Sequence, residues 1–243
     1  MGNQNKSKRQ IQPLINELND FNITETFKTL RTNLIFSLAG NKNKIVTITS
    51  PFLGEGKSTV CANLALTMAQ TGAKTLIIDM DMRKPMQYRL FKLPNDKGLS
   101  TLLIKESSIN DIIRKTEIND LYVITSGPTP PNPMELLSRD IVVKMLESLQ
   151  ETFDYIFIDT PPINIISDAL VVAKNTSGIL LVVSQNQTTF EDIKQAIAKI
   201  KFGEIKILGT ILNNCVFDKK SKKYRGYKGR YSKGYNQYDS YSY

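Results

Sequence analysis

An α/β fold, built on a doubly wound and mainly parallel sheet with helices on both faces, is what this sequence predicts. Three features carry that expectation. From about residue 24 to residue 213, short β-branched runs alternate with helical patterns, the order that builds βαβ units. Most of the runs are apolar nearly throughout, as strands covered on both faces must be. The first run opens into a glycine-rich loop and then a helix.

Taken in order, residues 1–22 form a polar leader. It opens MGNQNKSKRQ and has no apolar stretch behind its basic residues, so it is not read as a secretory signal. The serine of a myristoylation-like pattern falls one place late, at Ser7. Phe27, Leu30, Leu34, Ile35 and Leu38 then recur at helical spacing, which predicts an amphipathic helix over Thr24–Leu38, outside the βαβ series. Five strands follow from the apolar runs Ile45–Thr49, Thr75–Asp79, Leu121–Thr125, Tyr155–Asp159 and Gly178–Ser184, and Lys206–Asn213 makes a sixth. Helices are predicted over Ser58–Thr71, closed by Gly72, and over Pro133–Thr152, Ile165–Lys174 and Thr189–Lys201, with Thr188 or Thr189 as the last N-cap. The chain has no internal repeat.

Composition narrows the chemistry. The 243 residues are 41% hydrophobic and 23% charged, enough for a sizeable core. There is no histidine, which excludes Ser-His and Cys-His nucleophile systems, imidazole acid-base catalysis and histidine-containing zinc sites. Cys61 and Cys215 are the only cysteines, too few for a disulfide framework or a four-cysteine metal site, and they point to a reducing, cytosolic compartment. The longest purely aliphatic stretch is Ile179–Val183, far short of the ~20 residues of a spanning helix.

The formal net charge of +9 is concentrated at one end. From Asp218 onward there are eight basic residues against Asp218 and Asp239, a net +6, and seven tyrosines: Tyr224, Tyr227, Tyr231, Tyr235, Tyr238, Tyr241 and Tyr243. This segment has no Leu, Ile, Val, Met or Phe, so it is expected to be a disordered tail. Its charge suits acidic surfaces, including anionic lipid headgroups. Aromatic rings among basic residues also suit single-stranded nucleic acid, but no specific nucleic-acid partner is expected.

The first strand runs into Pro51-Phe52-Leu53-Gly54-Glu55-Gly56-Lys57-Ser58-Thr59, whose ending fits the phosphate-loop pattern GxxxxGK(S/T) in the strand, loop, helix setting it requires. The fold is therefore expected to be P-loop NTPase-like. Gly54 and Gly56 let the backbone curl so that its N–H groups and the helix N-terminus face phosphates. Gly54, Glu55, Gly56, Lys57, Ser58 and Thr59 are the candidate nucleotide-binding residues, with Lys57 reaching the β and γ phosphates and Ser58 supplying its hydroxyl to Mg2+. The loop is expected to be largely solvent-accessible. Pro51 departs from the pattern, which has its first glycine there.

The second strand ends in Asp79-Met80-Asp81-Met82-Arg83-Lys84-Pro85, and the fourth in Asp159-Thr160-Pro161-Pro162. Ligands bind outside the carboxyl ends of parallel strands, so these aspartates should emerge beside the loop. A hydrophobic run closing on an aspartate is the form of a Walker B element, because Mg2+ takes carboxylate and water ligands and needs them on a rigid strand.

With these pieces in place the sequence resembles the bacterial tyrosine kinases, and among them the stand-alone cytoplasmic kinase subunits of capsular and exopolysaccharide systems, the CapB/CpsD type. The resemblance runs from about residue 24 to 243. It rests on LGEGKST, on LIIDMDMRKP, on FIDTPP, on the segment Ser126-Gly127-Pro128-Thr129-Pro130-Pro131-Asn132-Pro133-Met134-Glu135-Leu136-Leu137, and on the tyrosine cluster. It implies a kinase domain over 23–217 and a tyrosine-rich tail over 218–243. It implies ATP and Mg2+ as cofactors, with Lys57 on phosphate, Ser58, Asp81 and Asp159 as metal partners, Asp79 as acceptor of the tyrosine proton, and Arg83 and Lys84 nearby as charge stabilisers.

Residue chemistry alone does not rank Asp79 above Asp81. Glu25, Lys28 and Arg31 match an ExxRxxR element used in ring contacts, with lysine in the middle where the family has an arginine fork. Asn213 falls where related P-loop ATPases contact the base. The implied activity is tyrosine autophosphorylation in trans that regulates polysaccharide biosynthesis and export. The implied partners are a membrane-anchored activator, a cognate tyrosine phosphatase and further copies in a ring, with peripheral recruitment to the inner face of the membrane. The alternative is a MinD/ParA-like regulatory ATPase. Phe52, standing where those proteins carry a signature lysine, argues against it.

Overall fold

Apolar runs flanked by helical patterns fold here as one sheet with helices on both faces, in a computed structural model that describes residues 21–185 and 187–215. In chain order its elements are α1 (Phe21–Ser37), β1 (Ile45–Thr49), α2 (Lys57–Ala69), β2 (Thr75–Asp79), α3 (Gln87–Leu90), α4 (Leu99–Leu103), α5 (Ile109–Ile112), β3 (Ile113–Lys115), β4 (Leu121–Ile124), α6 (Pro133–Leu137), α7 (Asp140–Gln150), β5 (Tyr155–Asp159), α8 (Asp168–Ala173), β6 (Gly178–Ser184), α9 (Phe190–Phe202) and β7 (Ile207–Asn213). Most of the polar leader, and the tail with Tyr224, Tyr227, Tyr231, Tyr235, Tyr238, Tyr241 and Tyr243, lie outside the described residues. Among those described, no helix is long and apolar enough to cross a membrane.

The strand order is β3-β4-β2-β5-β1-β6-β7. All pairings are parallel except β3 against β4. Alternation of side chains at period two divides the core between the faces. On β2, Leu76 and Ile78 join the layer made with α4, α6 and α7, while Ile77 joins the layer under α1 and α2. A third cluster, with Ile179, Leu181 and Val183 on β6 and Ala196 and Ile200 on α9, closes the other end. β1, β2 and β6 are buried along their whole length, which is why their sequences read as continuous apolar runs.

The differences from the sequence expectations have local causes. The helix expected over Pro133–Thr152 is broken at Ser138–Arg139. Arg139 is extended (φ −76°, ψ 148°) as the N-cap of α7, and its guanidinium donates to the carbonyl of Leu103 at 3.4 Å. The helix expected from Ile165 starts only at Asp168, because Ile165 and Ile166 turn back to bond the Pro162 carbonyl. Ile35, expected on the buried stripe of α1, is 40% exposed, whereas its neighbour Leu34 is buried. The packed stripe follows Phe27, Leu30, Leu34 and Leu38, and Ile35, about 100° round the helix from Leu34, falls at its solvent edge.

β5 lies between β1 and β2, and this insertion builds the site. Asp159 is aligned with Asp79 on one side and with Ile48 on the other, so the ends of β1, β2 and β5 meet where the chain leaves β1 for α2. Side-chain and backbone bonds tie the exits together: Thr49 Oγ1 donates to the Pro161 carbonyl at 2.7 Å, and the Ile163 and Asn164 amides donate to the Ser50 and Pro51 carbonyls.

Candidate active site

The glycine-rich loop takes the curl that its composition allows. Gly54 and Gly56 have φ of +84° and +85°, the left-handed region that a Cβ disfavours. Gly56 is the N-cap of α2 and offers no side chain to its first turn, so the amides there point outward at the positive end of the helix dipole. That is an anion-binding geometry. Gly54 is exposed as expected, but Lys57 is only 8% exposed, a correction to the picture of a solvent-accessible loop. Its side chain turns inward to the carboxylates.

There Lys57 Nζ lies 2.9 Å from Asp81 Oδ2, 3.4 Å from Asp159 Oδ1 and 3.1 Å from Ser58 Oγ. Burial alone would lower the ammonium pKa; the Asp159 and Asp81 carboxylates outweigh it and hold Lys57 above the ordinary lysine range. Three oxygens thus converge on one cation. A hydroxyl and two carboxylates are hard donors of the kind Mg2+ takes alongside waters and phosphate. Among the described residues there is no cage of three or more ligating Cys or carboxylate side chains, and Mg2+ at a nucleotide does not need one. The residues present fit this ion.

Asp79 stands apart from that trio. It is fully buried; Oδ1 accepts from the Asp81 amide at 3.2 Å, and Oδ2 accepts from the amides of Met86 at 3.0 Å and Gln87 at 2.9 Å. Burial and the neighbouring Asp159 charge push its pKa well above the ordinary carboxylate range, against the opposing Gln87 amide and Lys57. Asp81 likewise holds the loop that follows it, Oδ1 accepting from the Lys84 amide at 3.0 Å. Lys84 and Arg83 are exposed beside these carboxylates, and Arg83 Nε reaches Asp168 Oδ2 at 3.4 Å.

The other expected residues are distributed as follows. Glu55 is buried and faces into the protein: Oε2 accepts from the Phe52 amide at 2.9 Å, and Oε1 takes the hydroxyl of Thr188. It braces the loop from within. Asn213, at the end of β7, donates to the Glu55 carbonyl at 2.9 Å, so it touches the loop from the side. Thr59 is half-buried in the first turn of α2. On α1, Lys28 pairs with Glu25 at 3.0 Å across the half-exposed face, whereas Arg31 Nη1 donates to the Thr67 carbonyl of α2 at 2.6 Å. The segment Ser126–Leu137 leaves the end of β4 beside the site. Gly127 is locked there by the Asn95 amide and by Gly98, where a Cβ would fall 2.3 Å from the Gly127 nitrogen.

One residue was not singled out from sequence: Gln87, fully buried, whose side chain joins Ser58 to Asp159. No local signal marks it, since an isolated glutamine after a proline-containing loop reads as surface.

Fold and site together define a nucleotide-binding α/β protein of the P-loop class. Residues 43–207 match the AAA domain family. The chain is 41% identical over 223 residues to the putative tyrosine-protein kinase CapB of Staphylococcus aureus, across 91% of this chain and 98% of that one. Among solved structures it resembles the chimerical protein CapA2B2 (TM-score 0.78, 41% identity, 81% and 86% of the two chains) and the kinase domain of the Escherichia coli tyrosine kinase ETK (TM-score 0.80, 32% identity, 88% and 86%). The chain belongs to the bacterial tyrosine-protein kinases.

Proposed function

We infer that this chain is an ATP- and Mg2+-dependent protein-tyrosine autokinase that phosphorylates its own C-terminal cluster, Tyr224 to Tyr243, between subunits, and so regulates capsular or exopolysaccharide biosynthesis and export. The observation that carries the reading is the convergence of Lys57, Ser58, Asp81 and Asp159 beside an anion-binding loop. Family membership supports the acceptor: the S. aureus relative is named a putative tyrosine-protein kinase.

In this reading the amides of Gly54–Thr59 and the α2 N-terminus hold the phosphates, with Asn213 at the base side. Lys57 moves from its carboxylates to the β and γ phosphates. Mg2+, held by Ser58, Asp81 and Asp159, supplies neutralisation of phosphate charge when bound. The bond from the γ phosphorus to ADP breaks, the bond to the tyrosine Oη forms, and the phenolic proton passes to Asp79. Its raised pKa suits it to that task, and its burial means that the Met82–Met86 stretch must open for an acceptor to reach it while Gln87 keeps its place. Arg83 and Lys84 offset charge on the transferring group.

The domain division follows: a leader, a kinase domain over 23–217 and a tail substrate over 218–243. Delivery of one copy's tail to another's site calls for a ring, with Glu25, Lys28 and Arg31 in its contacts. A membrane-anchored activator, as the resemblance to the CapB/CpsD type implies, would bring the chain to the inner face of the membrane, and a tyrosine phosphatase would reset it.

The test is incubation of the full chain with Mg-ATP, with and without an activator of this kind, followed by phosphosite mapping. Label on the tail tyrosines, lost in Lys57→Met, is expected. ATP hydrolysis without tyrosine label would overturn the kinase reading in favour of a regulatory ATPase.

A further inference from the structure

Gln87 opens α3, directly after the loop that carries Asp81, Arg83 and Lys84. It is fully buried, and three parts of the site meet on it. Its backbone amide donates to Asp79 Oδ2 at 2.9 Å; its side-chain Nε2 donates to Asp159 Oδ2 at 2.8 Å and to the Ser58 carbonyl at 3.1 Å. Both side-chain partners are acceptors, so the amide has one orientation that satisfies them, nitrogen toward Asp159. Oε1 is then left buried with no partner. A polar atom left so is tolerated where the other end of its group is needed.

The Asp159 carboxylate is consequently gripped at both oxygens, by Lys57 on Oδ1 and by Gln87 on Oδ2. The two donors differ in what they are. Lys57 must leave to serve phosphate, whereas the carboxamide is neutral and stays. It also adds no charge where Asp79 and Asp159 stand side by side in register.

We propose that Gln87 is a positioning residue for phosphoryl transfer, which keeps the metal-binding carboxylate of Asp159 in one orientation and couples it to the Asp79 loop and the phosphate loop. This rests on the Mg-nucleotide reading given above. Once Lys57 departs, Gln87 is what prevents Asp159 from rotating about its terminal torsion, which is otherwise soft. Outer partners that orient metal ligands typically govern metal affinity by 10- to 100-fold.

The experiment uses the full-length chain and a fluorescent ADP analogue titrated at a series of Mg2+ concentrations, alongside autophosphorylation kinetics and thermal melting. Gln87→Met keeps the length of the side chain and removes both bonds. The Mg2+ concentration for half-maximal nucleotide binding is expected to rise about 10-fold, with binding at very low Mg2+ unchanged. The fall in kcat should be partly recovered by high Mg2+, while KM for ATP at saturating Mg2+ stays near that of the parent. Gln87→Asn, one methylene short of Asp159, is expected to show the same rise and answers the question should the methionine variant not fold. An unchanged Mg2+ requirement in a folded variant overturns the role of Gln87 alone. A parent chain whose nucleotide affinity ignores Mg2+ overturns the metal reading with it.

Discussion

Lys57 is held by two carboxylates in a site closed to most solvent, so replacing it changes two properties at once. Lys57→Met removes the charge proposed to serve the phosphates, and autophosphorylation should fall about 100- to 1000-fold, the range for loss of one preorganised electrostatic contact. It also leaves Asp81 and Asp159 without their cation. Breaking a buried pair from one side costs about 3 kcal/mol, roughly 6 to 12 °C of melting temperature in a chain of this size. Adding Mg2+ to the nucleotide-free variant should recover much of that loss; a melt indifferent to Mg2+ would show that the trio does not hold the ion. Cys61 offers a second test at this scale. It is buried in α2, and burial together with the Asp159 and Asp79 charges pushes its thiol well above the ordinary range. Native protein should therefore react with a maleimide at the half-buried Cys215 first, with Cys61 labelled only as fast as the domain opens. Rapid labelling of Cys61 by mass mapping would mean that α2 is less well packed than described.

Among the elements, α9 joins the phosphate loop to the segment after Asp159. Its N-cap is Thr189, with Asp192 closing a capping box: Asp192 Oδ2 accepts from the Thr189 amide at 2.9 Å and its hydroxyl at 2.6 Å. Just before it, Thr188 bonds Glu55, and further along Lys199 donates to the carbonyls of Ile163 and Asn164. Hydrogen bonds from Thr189 lower the Asp192 pKa from 3.8, so its contribution to stability is present above that value and is lost as pH falls through the lower folded value. The urea midpoint of Asp192→Ala should lie below that of the parent at neutral pH, and the gap should close below pH 3.8. A gap that persists unchanged in acid would mean that the ionised carboxylate is not what the box uses. The same element shows how direction escapes pattern. Thr188 and Thr189 both fit an N-cap by type, and only the path of β6 toward the loop sends one to the helix and the other to Glu55.

For the whole molecule, charge is divided between a carboxylate-lined site and a basic tail with net +6. Each phosphotyrosine adds about −1.5 to −2 charges at neutral pH, so three or four modifications would cancel the tail and more would invert it. In the ring proposed above, an unmodified tail would be drawn to a neighbour's aspartates, and a heavily modified one would be repelled by them and by other tails. Phosphorylation is therefore expected to loosen the oligomer, and a phosphatase to restore it. Light scattering on unmodified, fully phosphorylated and tail-deleted (from Asp218) chains at low and moderate salt checks this, since screening should weaken the difference. Equal masses for the phosphorylated and unmodified forms at both salt levels would reject charge reversal as the release mechanism.

Buried parallel strands were legible to the residue at Ile45–Thr49, Thr75–Asp79, Tyr155–Asp159 and Gly178–Ser184, because a strand covered on both faces must be apolar along its length. The phosphate loop and the aspartates closing β2 and β5 were legible for a related reason: each lies in its own short contiguous motif at the end of an apolar run. The edge strand Ile113–Lys115 was not, nor were the short helices α3, α4 and α5. They are held by partners elsewhere, as when the amides of Leu99 and Ser100 bond the carbonyls of Thr125 and Ser126. The same holds inside the site. Glu55 turns inward rather than to the ligand side, Arg31 bonds α2, and Gln87 meets acceptors 29 and 72 positions away. Residue type and spacing state what a segment can form and which chemistry it carries. Where each side chain points depends on which strands become neighbours, and here it was the insertion of β5 between β1 and β2 that brought Lys57, Asp81, Asp159 and Gln87 to one place.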